Sequence, residues 1–355
     1  MGGVTMTACG SFLPGHALHN RDLEGFLDTS HEWIFSRTGI AERRIAGPGE
    51  DNLTLSLEAS RRALRRAGHK GRDVDLVVVA TTTADRMVPS LACSLQRELG
   101  ARGPAFDLNA ACSGFIYALA VASRFLETGA ARRALVVGTE TLSRILDWKD
   151  RSTCVLFGDG AGAAILEPCG DGEGIISVCL GADGEGDRLI RAEGGGARMM
   201  ASLRGNLDGG EAGLREHLPF LARAWEKGDP FLRMDGREVF KFAVRKLEEV
   251  VRDLCGRAVV DPREVDLIIP HQANLCIIEA ASRRLGVPLE RFHLNLERCA
   301  NTSAASIPLA LDDALGLGKI DKGDLVLLVA FGAGLTWAGA LMRWTGKAYG
   351  KEERY

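Results

Sequence analysis

This sequence has no C-x-x-C pair, although it carries nine cysteines: Cys9, Cys93, Cys112, Cys154, Cys169, Cys179, Cys255, Cys276 and Cys299. Their number is odd and most sit inside apolar segments. That argues against a disulfide framework or a zinc site, and for reduced thiols in a cytoplasmic protein with no bound metal. An excess of charge of one sign is also missing. The formal net charge of -3 excludes a generally basic nucleic-acid binder, though a local basic patch remains compatible with it. The opening stretch MGGVTMTACGSFLPG has no basic region ahead of an apolar core, so no secretory signal is expected. No apolar run has membrane-spanning length; even 325–342 is broken by glycines and reads as strand, turn, strand.

What is present suits a large α/β protein. The chain has 355 residues, 46% of them apolar and 26% charged, as in ordinary soluble domains. Its 43 glycines alternate with apolar runs, which points to tight turns and close backbone approaches around a site. Runs rich in Val, Ile and Leu without alternation (75–80, 134–138, 162–166, 266–270, 325–330) read as strands covered on both faces. Helical patterns lie between them, over 54–67 with a start at Thr54 and a stop at Gly68, over 113–128 and over 237–255. Strands alternating with helices predict α/β layers.

The two halves look alike. A helix, a charged turn and VDLVVVATTT near 60–83 parallel a helix, a charged turn and VDLIIPHQAN near 245–274. PAFDLNAACSGF (104–115) parallels RFHLNLERCANTSA (291–304), and the strands with FGDGAGAAIL (157–166) parallel those with FGAGLTWAGAL (331–341). Three matched blocks in one order predict an internal duplication, with a site where equivalent loops converge. The expected units are an N-terminal half over 1–175, a connecting insertion or lid over 176–236 and a C-terminal half over 237–355. Residues 194–235 are polar and Gly-rich, with one expected helix at 211–227.

Three residues could carry chemistry. Cys112 lies where a strand ends and a helix begins; unpaired N–H groups there favour a thiolate and can hold an oxyanion, although a small buried cysteine is the commoner outcome. His271 leaves the strand DLIIP at its C-terminal end, where α/β sites form, or is a satisfied structural histidine. Asn301 opens the second-half helix and would serve equally well as a helix cap. The duplication places Cys112 and Asn301 at equivalent helix starts with His271 on a neighbouring strand end, so the three are expected to converge on one pocket.

The segments DLNAACSGF (107–115), HQAN (271–274), NTSAASIP (301–308), FGAGLTWA (331–338), HEWIFSRTGI (31–40) and FGDGAGA (157–163) resemble the signature segments of 3-oxoacyl-acyl-carrier-protein synthase III, in order from about residue 5 to 344. The resemblance implies a thiolase-like fold of αβαβα layers, a homodimer and a Cys112–His271–Asn301 triad. Thiolases carry a second cysteine in the C-terminal Gly-rich loop; here that loop is Phe331-Gly332-Ala333-Gly334. Elongating ketoacyl synthases use two histidines, and Asn301 takes the place of the second. Chalcone-synthase-like enzymes share the triad but are longer.

The resemblance further implies decarboxylating condensation of an acyl-CoA with malonyl-acyl-carrier protein, initiating fatty acid synthesis. No cofactor is expected: coenzyme A and phosphopantetheine enter as parts of the substrates. Trp33 and Arg151 match the pair that sandwiches the CoA adenine, Arg37 a phosphate-side residue and Asn274 a pantetheine contact. Gly332, Ala333 and Gly334 match the loop facing the acyl thioester. Lys241, Arg283 and Arg284 match basic positions that dock the acidic carrier protein. Three departures stand out: Cys276 replaces the arginine usual after HQANL, Arg86 and Met87 lie in the acyl-pocket segment 81–90, and 194–235 is longer. They fit an alternative role as a specialised starter-unit synthase or acyltransferase in secondary or cofactor metabolism. A nucleotide-binding module on GDGAGA (158–163) is a poorer alternative, because the longer glycine fingerprint is missing.

Overall fold

The structure is a computed structural model that describes residues 3–170, 172–192 and 230–346. The helix expected at 211–227 lies outside the described residues.

The strands are β1 (Gly3–Phe12), β2 (His16–His19), β3 (Glu42–Ile45), β4 (Leu76–Ala80), β5 (Ala105–Leu108), β6 (Ala134–Thr141), β7 (Asp159–Cys169), β8 (Gly174–Ala182), β9 (Ile190–Ala192), β10 (Leu232–Met234), β11 (Leu267–Pro270), β12 (Leu325–Gly332) and β13 (Thr336–Arg343). The helices used below are α1 (His31–Thr38), α2 (Asn52–Ala67), α3 (Leu91–Leu99), α4 (Gly114–Glu127), α5 (Gly236–Ala258), α6 (Leu275–Leu285) and α7 (Ser306–Gly316).

Two sheets carry the fold. The first runs β1-β7-β6-β4-β5 and the second β8-β13-β12-β11. Position by position the orders match, with β1 answering to β8, β7 to β13, β6 to β12 and β4 to β11. The counterpart of β5 is reduced to a single parallel bridge between Ile268 and Phe292.

Side-chain alternation explains the layering. On β4, Leu76, Val78 and Ala80 join a central core with α4, α7 and the inner face of the second sheet, while Val77 and Val79 join an outer core with α2 and α3. On β12, Val326, Leu328 and Ala330 point into the central core, and Leu327, Val329 and Phe331 meet α5 and α6. Each of the Val, Leu and Phe side chains contributes roughly 1.5–3 kcal/mol on burial. The result is α-β-α-β-α, with α4 and α7 as the middle layer. The middle layer needs a bare backbone: a Cβ on Gly138 of β6 would stand 2.2 Å from the Ala304 carbonyl oxygen.

The structure departs from sequence expectation in two places. Helix α2 starts at Asn52, because Asp51 and Thr54 cap one another reciprocally, so the Thr-first start gives way to an aspartate cap. The expected connector 176–236 begins inside β8, the edge strand of the second sheet, and ends past β10, which pairs with β9. The GDGAGA segment runs into strand β7 and opens no helix, which agrees with the poor standing of the nucleotide-binding reading.

Candidate active site

After β5 the chain makes a turn at Asn109–Ala110 and a short helical turn, Ala111–Ser113, before α4. Cys112 is in that turn. Ala111 has φ 49°, and its N–H donates to Asn109 Oδ1 at 3.2 Å. The second half repeats this construction. Ser303 has φ 48°, and its N–H donates to Asn301 Oδ1 at 2.9 Å. An asparagine side chain thus fixes the left-handed residue two positions on. The symmetry mates are therefore Asn109 with Asn301 and Ala111 with Ser303, which pairs Cys112 with Ala304. The expected equivalence of Cys112 and Asn301 is corrected. The extra helical turn Leu296–Cys299 lengthens the second loop and moves the register.

Cys112, His271 and Asn301 all line one cavity of about 630 Å³, together with Asn274, Gly332, Ala333 and Gly334. His271 follows β11 and is 1% exposed. Its backbone N–H bonds Val329 O at 2.8 Å, and its ring stands edge-on to Phe331 at 5.3 Å. Nδ1 is buried without a hydrogen-bond partner. An orphaned acceptor costs less than an orphaned N–H, so the proton belongs on Nε2, the nitrogen left to face the cavity. With Asn301 Oδ1 engaged by Ser303, its amide NH₂ is the group left for a ligand. The pocket thus offers two neutral donors beside a thiol.

Neighbours fix this arrangement. Gln272 spends its whole side chain on the backbone: Nε2 donates to Pro270 O (2.8 Å) and His293 O (3.0 Å), while Oε1 accepts from Asn295 N (3.0 Å). It clamps the turn carrying His271 to the segment leading to Asn301. Thr336 Oγ1 lies within hydrogen-bond reach of Ala110 O (3.0 Å) and Ala333 O (3.1 Å), tying the Gly332–Gly334 loop to the cysteine turn. Sequence reasoning missed both, along with Ser303 and Glu140. Only Glu140 left a signal, as an acid two residues past the apolar run ALVVG.

Burial dominates the electrostatics. The Cys112 thiol is pushed up to about 12, mainly by desolvation and further by the Glu140 carboxylate, although Ser303 and its own backbone pull the other way. Cys112 keeps part of its surface open to the cavity, yet packing around the sulfur outweighs that opening. Burial thus works against the thiolate expected at a helix start, while hydrogen bonding from Ser303 and the local backbone works for it. Burial also lowers His271 to about 3, leaving it neutral.

Comparison with known proteins decides the family. The family model for 3-oxoacyl-[acyl-carrier-protein] synthase III matches residues 106–184, and its C-terminal model matches 255–344. The beta-ketoacyl-[acyl-carrier-protein] synthase III of Roseiflexus sp. is 48% identical over 96% of this chain and 98% of its own. The chain belongs to the 3-oxoacyl-acyl-carrier-protein synthase III family. The synthase of the same name from Caldanaerobacter subterraneus is also 48% identical, over 95% of this chain and 96% of its own. The crystal structure of the Aquifex aeolicus enzyme superposes with a TM-score of 0.85 at 42% identity, covering 96% of this chain and all of that one (100%). The fold is thiolase-like, and the protein is an acyltransferase-type condensing enzyme.

The remaining family-matched residues fall outside the triad. Two guanidinium groups lie over the Trp33 ring, Arg37 at 4.6 Å and Arg151 at 5.0 Å from its centre. Arg151 also bonds the Asp28 backbone oxygen and its carboxylate. A planar base stacking between Trp33 and Arg151 therefore requires Arg151 to leave that seat. Asn274 lines the cavity, but it caps α6 by accepting from Cys276 N (2.8 Å) and donates to Arg37 O (3.0 Å). Cys276 Sγ reaches the same carbonyl at 3.4 Å.

Among the basic residues, Lys241 and Arg284 share one groove with Arg245, which sequence reasoning missed. Each is tethered to an acid: Lys241 to Glu238 (2.7 Å), Arg284 to Glu248 (2.5 Å) and Arg245 to Glu249 (3.9 Å). Arg283 is not in the groove lining and pairs loosely with Glu279 at 3.9 Å. Arg86 is exposed and lines a small outer cleft with Asp51 and Asp85.

Proposed function

We propose that this enzyme condenses an acyl-CoA starter with malonyl-acyl-carrier protein and releases a 3-oxoacyl-acyl-carrier protein, the initiating step of fatty acid synthesis. The observation that carries the reading is a thiol, a neutral imidazole and a free amide NH₂ lining one cavity. Cys112 attacks the acyl-CoA thioester and coenzyme A departs; covalent catalysis splits a difficult condensation into two transfers. Backbone N–H groups at Cys112 and the 332–334 loop stabilise the tetrahedral oxyanion. The close passage of Gly332 over the Cys112 amide supports that placement.

Malonyl thioester then enters, and its carbonyl takes hydrogen bonds from His271 Nε2 and the Asn301 amide. Loss of CO₂ leaves an enolate held by these two donors, and its carbon attacks the acyl-cysteine. Neutral donors suit this task, because no strong base is needed when decarboxylation supplies the electron pair. In the same reading Trp33, Arg37 and Arg151 hold the nucleotide end of CoA, and Asn274 touches the pantetheine. Lys241, Arg245 and Arg284 steer the acidic carrier protein, Arg283 adds to that field, and the working form is a cytoplasmic homodimer. No described helix is long and apolar enough to cross a membrane.

The test is intact-mass analysis after incubation with a panel of acyl-CoAs, followed by labelled malonyl-carrier protein. The expected results are one acyl adduct on the Cys112 peptide, then CO₂ and a 3-oxo product. An adduct confined to another cysteine, or acylation without CO₂ release, refutes the proposal.

A further inference from the structure

The second sheet ends one strand short of the first, and Pro270 explains where the missing pairing stops. Ile268 of β11 bridges Phe292 in parallel, and His293 N donates to Ile268 O at 2.9 Å. The next step of a parallel ladder would have residue 270 donate to His293 O and accept from Asn295 N. Residue 270 is proline and has no N–H to give. The Gln272 carboxamide takes both places. Its Nε2 donates to His293 O (3.0 Å) and to Pro270 O (2.8 Å), and its Oε1 accepts from Asn295 N (3.0 Å). One side-chain amide thus stands in for a peptide group and extends the sheet by a step. Gln272 is 1% exposed, so removing its amide would orphan backbone groups in a buried place.

The position of this substitute peptide matters for the site. His271 hangs from the second sheet, through its N–H bond to Val329 O (2.8 Å). Asn301 hangs from the first half: its N–H donates to Leu156 O and its carbonyl accepts from Gly158 N, both at 3.0 Å. The two donors therefore have different supports, and Gln272 bonds to both flanks of Asn301. On one side its amide holds His293 and Asn295, which lead through the helical turn Leu296–Cys299 to Asn301. On the other, its backbone N–H donates to Ser306 Oγ (2.8 Å) at the start of α7. None of these bonds reaches the Cys112 turn, which is tied through Thr336 to the Gly332–Gly334 loop.

We propose that Gln272 is a positioning residue for the decarboxylating half-reaction: its amide, replacing the pairing that Pro270 forgoes, fixes the spacing between His271 Nε2 and the Asn301 amide. This rests on the condensation reading above. Both donors must meet one thioester carbonyl oxygen. The enolate oxygen formed as CO₂ leaves needs them more than the resting carbonyl does, so slack between them is felt in the transition state. Gln272 is not in the cavity lining and acts only through the backbone segments it joins.

The test compares two half-reactions in wild type, Gln272→Met and Gln272→Glu. They are Cys112 acylation by acyl-CoA, followed by quenched intact mass, and CO₂ release from malonyl-carrier protein. Methionine keeps the length and removes all three side-chain bonds. Glutamic acid keeps the shape and, protonated between two carbonyl oxygens, loses only one of them. In Gln272→Met, kcat for CO₂ release should fall about 10- to 100-fold, as for a donor displaced by up to about 1 Å, while acylation stays within about threefold of wild type. Gln272→Glu should lose less, and again only in CO₂ release. Should Gln272→Met fail to fold, Gln272→Glu decides on the same ratio. Hydrogen exchange at the Asn295 amide reads the link without substrate: it should quicken in Gln272→Met and stay near wild type in Gln272→Glu. The wild-type adduct and CO₂ check the reading of the site separately. Equal losses in the two half-reactions would mean a purely structural amide and overturn the inference. So would CO₂ release near the wild-type rate in both variants, or unchanged Asn295 exchange in Gln272→Met.

Discussion

Replacing Gly332 by alanine tests how tightly the second sheet positions the nucleophile. An added Cβ would stand 2.7 Å from Cys112 N and 3.0 Å from Cys112 Cβ. Ordinary contact needs about 3.5 Å or more, so the strand end and the cysteine turn must separate by well over half an ångström. The turn cannot yield cheaply, because Ala111 is already at φ 49° and Thr336 ties the two segments together. Misplacing a reacting group by about 1 Å costs on the order of 100-fold in rate. Overpacking of this kind costs roughly 1–3 kcal/mol of stability. The expected result is acylation slowed about 10- to 100-fold, with a lowered melting temperature. Gly256→Ala is the control: it lies within α5, its Cβ meets nothing within 4 Å, and the gain should be roughly 0.5–1 kcal/mol with activity unchanged. If Gly332→Ala acylates within twofold of wild type and melts at the same temperature, the strand end does not press on the cysteine turn.

Three further expectations follow from the same geometry. Burial depresses His271 to about 3, so the unfolded chain takes its proton first as pH falls. Its contribution is complete above about 6.5 and is lost on descending towards 3; urea midpoints of wild type should fall more steeply between pH 7 and 4 than those of His271→Gln, and equal slopes would refute this. Trp33→Ala should raise KM for acyl-CoA several-fold with kcat nearly intact, since the ring sits apart from the triad; a loss confined to kcat would count against nucleotide binding there. Charge reversal of Lys241 and Arg284 together should raise KM for malonyl-carrier protein at low salt and leave KM for acyl-CoA alone, with the gap closing as salt rises.

The sequence disclosed most of the middle of the fold and less of its edges. Runs such as 75–80 and 325–330 stand out because both faces of β4 and β12 are covered, which forces continuous Val and Leu. β1 and β8 escaped notice for the opposite reason. β1 mixes threonines with apolar residues, and β8 is an edge strand with Ile176 and Leu180 exposed, so neither forms a dense apolar run. At the site, the positions of Cys112, His271 and Asn301 were legible from motif order, but their charge states were not. A cysteine at a helix start suggests a thiolate, and only the packing around it reveals the opposing desolvation. The roles of Gln272, Ser303 and Thr336 were hidden because each acts through hydrogen bonds to backbone or side chains distant in sequence.

The duplication explains why the chemistry divides as it does. Both halves build the same turn from the same parts: an asparagine whose side chain accepts the N–H two residues on, a left-handed residue, then a helix of the middle layer. Two such turns meet at the centre. Identical turns would present identical groups, and a condensation needs different ones. The first copy places its sulfur directly after the left-handed residue, at Cys112. The second places alanine there, at Ala304, and offers the capping asparagine itself, Asn301, along with a hydroxyl on the left-handed residue, Ser303. In the first copy that last position is Ala111, which carries no polar atom. One backbone device, used twice, thus supplies the nucleophile from one side. From the other it supplies the amide donor, together with the hydroxyl that leads to Glu140. The divergence rests on single side chains at fixed points of a shared turn, Cys112 against Ala304 and Ala111 against Ser303.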